Sequence, residues 1–179
     1  RNVALTLARA GANVAICGRT RDTLEATAED LRALGVEAWP FVADVKELAQ
    51  VEAFVSFVAE AAGGIDLLIN NAVSSMSAPF DEQTDEHWQH HIDVKLMAYI
   101  RMARLCLPSM RERGCARIAH IGGMPPRSDA PLRLANGIVN AGVSNFTKQL
   151  ANQVGKDGIT VNCVHPGFTA TDRMMMNVE

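Results

Sequence analysis

Short apolar runs alternate with amphipathic stretches along this 179-residue chain. The strand-sized runs are Asn13–Cys17 (NVAIC), Ala38–Val42, Asp66–Asn70 (DLLIN), Ala116–Ile121 and Ile159–Val164 (ITVNCV). Each ends near Gly, Asn, Asp or Pro, the residues of turns. Between them lie helical patterns. The first carries Val3, Leu7 and Ala8 on one face and ends at Gly11. A second runs over Thr20–Leu34 and stops at Gly35; a third starts from a capping box of Asp44 and Glu47 and continues through Ala62 to Gly63-Gly64. Thr84–Arg111 carries Trp88, Ile92, Leu96 and Ile100 at four-residue spacing, with Pro108 expected to kink or end the helix. Leu132–Val154 completes the set. The alternation predicts one doubly wound α/β domain over residues 1–179, a parallel sheet with helices on both faces.

Composition narrows the function classes. Hydrophobic residues are 48% and charged residues 21%, the balance of a globular protein rather than a disordered one. A net charge of -3 with no basic run argues against nucleic acid as a partner. No apolar stretch approaches the roughly 20 residues that cross a bilayer, so no membrane partner is expected. Cys17, Cys106, Cys115 and Cys163 lack CxxC spacing and read as small buried residues in a reducing compartment, by default the cytoplasm. His87, His90 and His91 share helical spacing, but no carboxylate or Cys motif accompanies them in ligand spacing, so a polar helix face is preferred to a metal site. His120 and His165 stand at strand ends; a hydrogen-bonded structural role is preferred for both over proton shuttling.

In open parallel sheets, ligands bind outside the carboxyl ends of the strands. The segments there are Gly18-Arg19, Asp44-Val45, Asn70–Val73, Gly122-Gly123 and His165-Pro166-Gly167. With their neighbours they read ARAGANVAICGR (8–19), ADV (43–45), LLINNA (67–72, with Val73 where a glycine would be expected) and ITVNCVHPGFTAT (159–171). In this order and spacing they resemble the short-chain dehydrogenase/reductase family across essentially the whole chain. The resemblance implies a Rossmann-type dinucleotide-binding fold. It also implies a strand and glycine-rich loop ahead of Arg1, where the sequence opens already inside a helical pattern, and further helix and strand beyond Glu179. The chain therefore reads as one domain truncated at both ends.

The cofactor-binding positions implied by the resemblance are Gly18, Arg19, Asp44, Val45, Asn71, Ala72, Pro166, Gly167, Phe168 and Thr171. Gly18 stands where NAD-preferring members carry an acidic residue. Gly then Arg admits a 2′-phosphate and pairs with it, so NADP(H) is expected in preference to NAD(H); a solvated surface arginine is the alternative. Asp44 contacts adenine or caps a helix, and Asn71 meets cofactor or only forms a turn.

The family's catalytic Asn, Ser, Tyr and Lys fall on Lys95, Gly123, Asn136 and Asn140. The one tyrosine, Tyr99, is followed four residues on by Ala103 and is expected to fill a core or subunit interface. Asn and Lys have in effect changed places. Such an exchange keeps one ammonium and one amide in the pocket, with Lys95 polarising a substrate oxygen and Asn140 and Asn136 as hydrogen-bonding neighbours. The competing reading of Lys95 is a stem that snorkels to solvent. At the level of function, the resemblance implies an NADP(H)-dependent oxidoreductase acting on a small carbonyl or alcohol, or else a catalytically inactive nucleotide-binding or regulatory subunit. Relatives pair through two long helices, here 84–111 and 132–154, so a homodimer or homotetramer is expected.

Overall fold

The computed structural model describes residues 1–73, 77–123 and 131–167. The elements run α1 (Asn2–Arg9), β1 (Val14–Gly18), α2 (Arg21–Arg32), β2 (Ala38–Val42), α3 (Leu48–Ala62) and β3 (Leu67–Asn70). They continue with α4 (Asp85–His91), a π-helical segment (Ile92–Met97), α5 (Ala98–Arg113), β4 (Ala116–Ile121), α6 (Leu134–Val154) and β5 (Ile159–Val164). Among the described residues the strand pairings are parallel: β1 with β2, β3 with β4, and β4 with β5.

Alternation along β1 sorts the helices onto two faces. Val14 and Ile16 pack with Ala8, Ala28 and Leu31 from α1 and α2. Ala15 and Cys17 join the larger core, where Val51 and Phe54 of α3, Met102 and Met110 of α5, Val154 of α6, and Ile118 and Val161 of the sheet are buried. Among the described residues β1–β2 and β3–β4–β5 form two separate sheets. A cavity of about 970 Å³ lies between them, lined by Ala15, Ile16 and Cys17 on one side and Leu68, Ile69 and Asn70 on the other.

Three helix boundaries depart from the sequence pattern. Asp44 does not cap α3. Its Oδ1 accepts the nearer Lys46 N–H at 3.0 Å in a local turn, and Glu47 becomes the N-cap without a side-chain bond. The capping box lies elsewhere: Thr84 Oγ1 accepts from His87 N at 3.4 Å while His87 Nδ1 accepts from Thr84 N at 3.3 Å. His87 thus fills a role normally taken by Glu or Gln.

Pro108 does not end the long helix. Cys106 and Met110, both buried, hold that turn against the core, and α5 runs on to Arg113, which forms an ion pair with Asp66 at 2.7 Å. The interruption comes earlier, at the π segment. The stripe of Trp88, Ile92, Leu96 and Ile100 is only half-buried. His91, Lys95, Ala98, Tyr99 and Met102 point inward instead.

The tight turn from α6 into β5 needs a glycine at one place only. Gly158 has φ +74, and a Cβ there would strike the Gly114 carbonyl oxygen, whereas Gly155 has helical φ and open space around its Cα. Gly158→Ala is expected to destabilise the fold by more than about 1 kcal/mol, while Gly155→Ala is neutral or stabilising by about 0.4–1 kcal/mol. Urea unfolding of both variants checks the contrast.

Candidate functional site

The carboxyl ends of the strands bring the expected segments to one edge of the molecule. At β1, Gly18 O accepts from Ala43 N at 2.8 Å, which holds Asp44 and Val45 beside Gly18 and the exposed Arg19. Asp44 also donates its N–H to Gln50 Oε1 at 2.8 Å, so its backbone and one carboxylate oxygen are committed to the turn. Val45 packs inward against the core. Beyond β3, Asn71 is exposed and Ala72 half-buried. Pro166 and Gly167 are exposed after β5; Phe168 and Thr171 lie outside the described residues.

The centre of the site is the Gly122-Gly123 turn at the end of β4. From the π segment, Lys95 Nζ donates to Gly122 O at 2.7 Å, and the residue is only 4% exposed. The alternative of a solvent-directed lysine is therefore excluded. Loss of hydration pushes its ammonium down to about 8, partly offset by the nearby Cys163. No carboxylate pairs with it among the described residues.

One turn on, the Tyr99 hydroxyl sits between Ala72 O and Ile121 O, 2.9 Å from each. Burial drives its acidity far below that of a free phenol. Tyr99 ties the end of β3 to the end of β4 and is spent as a structural clasp, as the sequence suggested.

Asn140 of α6 is buried beside Gly123. A Cβ added to Gly123 would lie 2.5 Å from Asn140 Nδ2. The amide thus occupies the space into which a side chain at position 123 would grow, and glycine there is a condition of Asn140 being where it is. Asn140 Oδ1 has no hydrogen-bond partner among the described residues, nor does Asn70 Nδ2 at the end of β3. A buried acceptor without a partner beside the Gly122-Gly123 turn is what a bound polar ligand would satisfy. Asn136, one turn earlier on α6, is half-buried. Lys95 and Asn140 therefore converge on consecutive glycines from different helices.

Both strand-end histidines are hydrogen-bonded. His120 is fully buried, meets Thr147 Oγ1 at 3.2 Å and stacks on Phe146 at 5.4 Å; burial pushes it down to about 4. His165 is half-buried and contacts Gly123 O, Ser144 Oγ and Cys163 Sγ. Sequence reasoning passed over Ser144 and Cys163. Their signal was present, since Ser144 follows Asn140 by one helical turn and Cys163 shares its strand face with His165.

A family description, short chain dehydrogenase, matches residues 1–179. A 3-oxoacyl-(acyl-carrier-protein) reductase of Staphylococcus epidermidis is 30% identical over 173 residues, 96% of this chain and 71% of that protein. L-Sorbose reductase from Gluconobacter frateurii, solved with NADPH and L-sorbose, superposes with a TM-score of 0.93 at 31% identity, covering 98% of this chain and 68% of that one. A variant of actinorhodin polyketide ketoreductase with NADPH gives a TM-score of 0.91 at 32% identity, covering 96% and 66%. The chain spans about two thirds of the length of the curated relatives it matches, 66% and 64% for those from Streptomyces coelicolor and Streptomyces virginiae.

A lysine held below its ordinary range makes stability depend on pH in a definite direction. Between about 8 and the ordinary lysine value of 10.5, the unfolded chain binds a proton at Lys95 that the folded chain has released. The cost of burying the charge is thus fully present below pH 8 and is relieved as pH rises to 10.5. Relative to Lys95→Met, which has no such proton, the wild type is expected to gain stability across that window, measured by urea unfolding of both proteins at about pH 7, 8, 9 and 10.

Proposed function

The chain belongs to the short-chain dehydrogenase family, and we propose that within it the protein is an NADP(H)-dependent reductase, exchanging a hydride between nicotinamide and a small carbonyl or alcohol. The observation that carries this reading is the buried Lys95 ammonium on the Gly122 carbonyl, with the Asn140 amide against the adjacent Gly123. A site that had merely lost its chemistry has no reason to keep an unpaired charge under cover at a cost to folding.

The residues present fit the dinucleotide. Arg19 is exposed at the end of β1 with a glycine before it, which leaves room for a 2′-phosphate and supplies a planar donor for it. Asp44 and Val45 would flank the adenine, Asn71 and Ala72 the central part, and Pro166 and Gly167 the nicotinamide end; Phe168 and Thr171 are proposed to join them. When bound, NADPH supplies the hydride. The relatives solved with NADPH support this choice of cofactor.

Lys95 handles the proton. With its ammonium at about 8, Nζ can give a proton to a substrate oxygen near neutral pH and regain one from solvent afterwards. Before transfer the same charge stabilises the developing alkoxide in a site with little water. Asn140 Nδ2 stands where a substrate-binding hydroxyl would otherwise project from position 123, and Asn136 lines the approach. Tyr99 takes no part, because both its contacts are backbone carbonyls.

Pairing of subunits through α4–α5 and α6 fits the exposed Leu134 and Ile138 on α6. The cysteines, free among the described residues, fit the cytoplasm. No described helix is long and apolar enough to cross a membrane.

Two substitutions test the reading. Lys95→Met is expected to lower NADPH-dependent turnover of a ketone or aldehyde substrate by about 10²-fold or more, with NADPH affinity close to that of the parent. An unaltered rate would show that Lys95 does not handle the proton, whereas no NADPH-dependent turnover in the parent itself would favour an inactive nucleotide-binding subunit. Arg19→Ala is expected to weaken NADPH binding by about 10- to 100-fold, the loss of a charge-assisted pair. NADH binding should stay nearly constant in a titration of either cofactor; equal losses would show that Arg19 does not read the phosphate.

A further inference from the structure

Two adjacent glycines make a poor platform for a catalytic group, because nothing in their own side chains fixes the direction of their carbonyls. Gly122 and Gly123 are nevertheless held on three sides. Gly122 N donates to Val164 O at 2.8 Å, Lys95 Nζ donates to Gly122 O at 2.7 Å, and His165 Nδ1 lies 2.9 Å from Gly123 O. A carbonyl only accepts, so Nδ1 carries the hydrogen and His165 donates it. The opposite ring nitrogen, Nε2, lies 3.0 Å from Ser144 Oγ and 3.4 Å from Cys163 Sγ. Ser144 Oγ also lies 2.8 Å from Asn140 O, so its single hydrogen serves either that carbonyl or Nε2, which with Nδ1 protonated accepts. The imidazole is thus oriented at both nitrogens, from α6 on one side and from the glycine turn on the other.

The fit is close as well as bonded. A Cβ at Gly122 would lie 2.5 Å from His165 Nδ1 and 3.2 Å from Cys163 Sγ. The glycine is required by the histidine, as Gly123 is required by Asn140.

We propose that His165 is a positioning residue of this site: oriented by Ser144, it fixes the Gly122-Gly123 turn and thereby the carbonyl on which the Lys95 ammonium rests. Its catalytic consequence rests on the reading of Lys95 as proton donor; its geometric consequence does not. Loss of the imidazole frees the turn to rotate and lets Lys95 follow its anchor toward water. Regained hydration then returns the ammonium toward the ordinary lysine range. The titratable neighbours that bear on Lys95 are Cys163 on β5, whose charge it feels, Tyr99 on α5, held on the adjoining Ile121 carbonyl, and His165 itself. From α6 come only the neutral Asn140 and Ser144.

The test follows Lys95 directly, by NMR titration of the full chain labelled with 15N at lysine Nζ. The Lys95 midpoint is expected near 8 in the parent and higher in His165→Ala. In His165→Asn, whose amide reproduces the donor at the Nδ1 position, it should return toward the parent value. Ser144→Ala, which keeps the ring but removes its orienting partner, should move the midpoint in the same direction by less, and serves if His165→Ala does not fold. In turnover, His165→Ala should lower kcat by about 10-fold or more with little change in KM for NADPH, and its alkaline limb should move upward with the Lys95 midpoint. A Lys95 midpoint unchanged in both His165→Ala and Ser144→Ala overturns the proposal. A midpoint that moves while Lys95→Met turns over normally upholds the positioning role and defeats the catalytic reading instead.

Discussion

A charged amine out of water must replace lost hydration, and Lys95 does so with one short bond to a backbone carbonyl. Much of the site depends on that constraint. Residue 95 lies in the π segment on the face it shares with the buried His91 and Tyr99. The accepting carbonyl belongs to a glycine, and the neighbouring glycine leaves room for Asn140. Tyr99, on the same helix face as Lys95, secures the carbonyl just before it. An ammonium, a phenol and an imidazole thus address three successive carbonyls, those of Ile121, Gly122 and Gly123.

Positions 123 and 140 depend on one another sterically. The amide at position 140 fills the space next to position 123, so a serine could not return to Gly123 without displacing Asn140. This interdependence is written in van der Waals distances rather than in any single residue type.

The five strands and the cleft at their carboxyl ends were legible from sequence because parallel strands are short apolar runs closed by turn residues. That Lys95 and Asn140 lie near the Gly122-Gly123 turn could likewise be read by register. The π bulge was not legible: widening a turn leaves no local composition signal, and the four-residue spacing from Trp88 to Ile100 argued for a regular helix. Asp44 misled for a related reason, since the same side chain that can cap a helix can satisfy an N–H two residues on. The roles of Ser144 and Cys163 depend on contacts between α6 and β5 that no one-dimensional pattern reports.

The inward face of the β1–β2 pair has a consequence for how the Gly18-Arg19 end of the site is held. Ala15, Cys17 and Phe41 pack against the larger core. The aromatic part of that attachment is Phe41, whose ring lies 5.5 Å from Phe54 and 5.3 Å from Phe57 on α3. Dispersion across this cluster helps hold the β1–β2 pair, and with it the exposed Arg19, to α3.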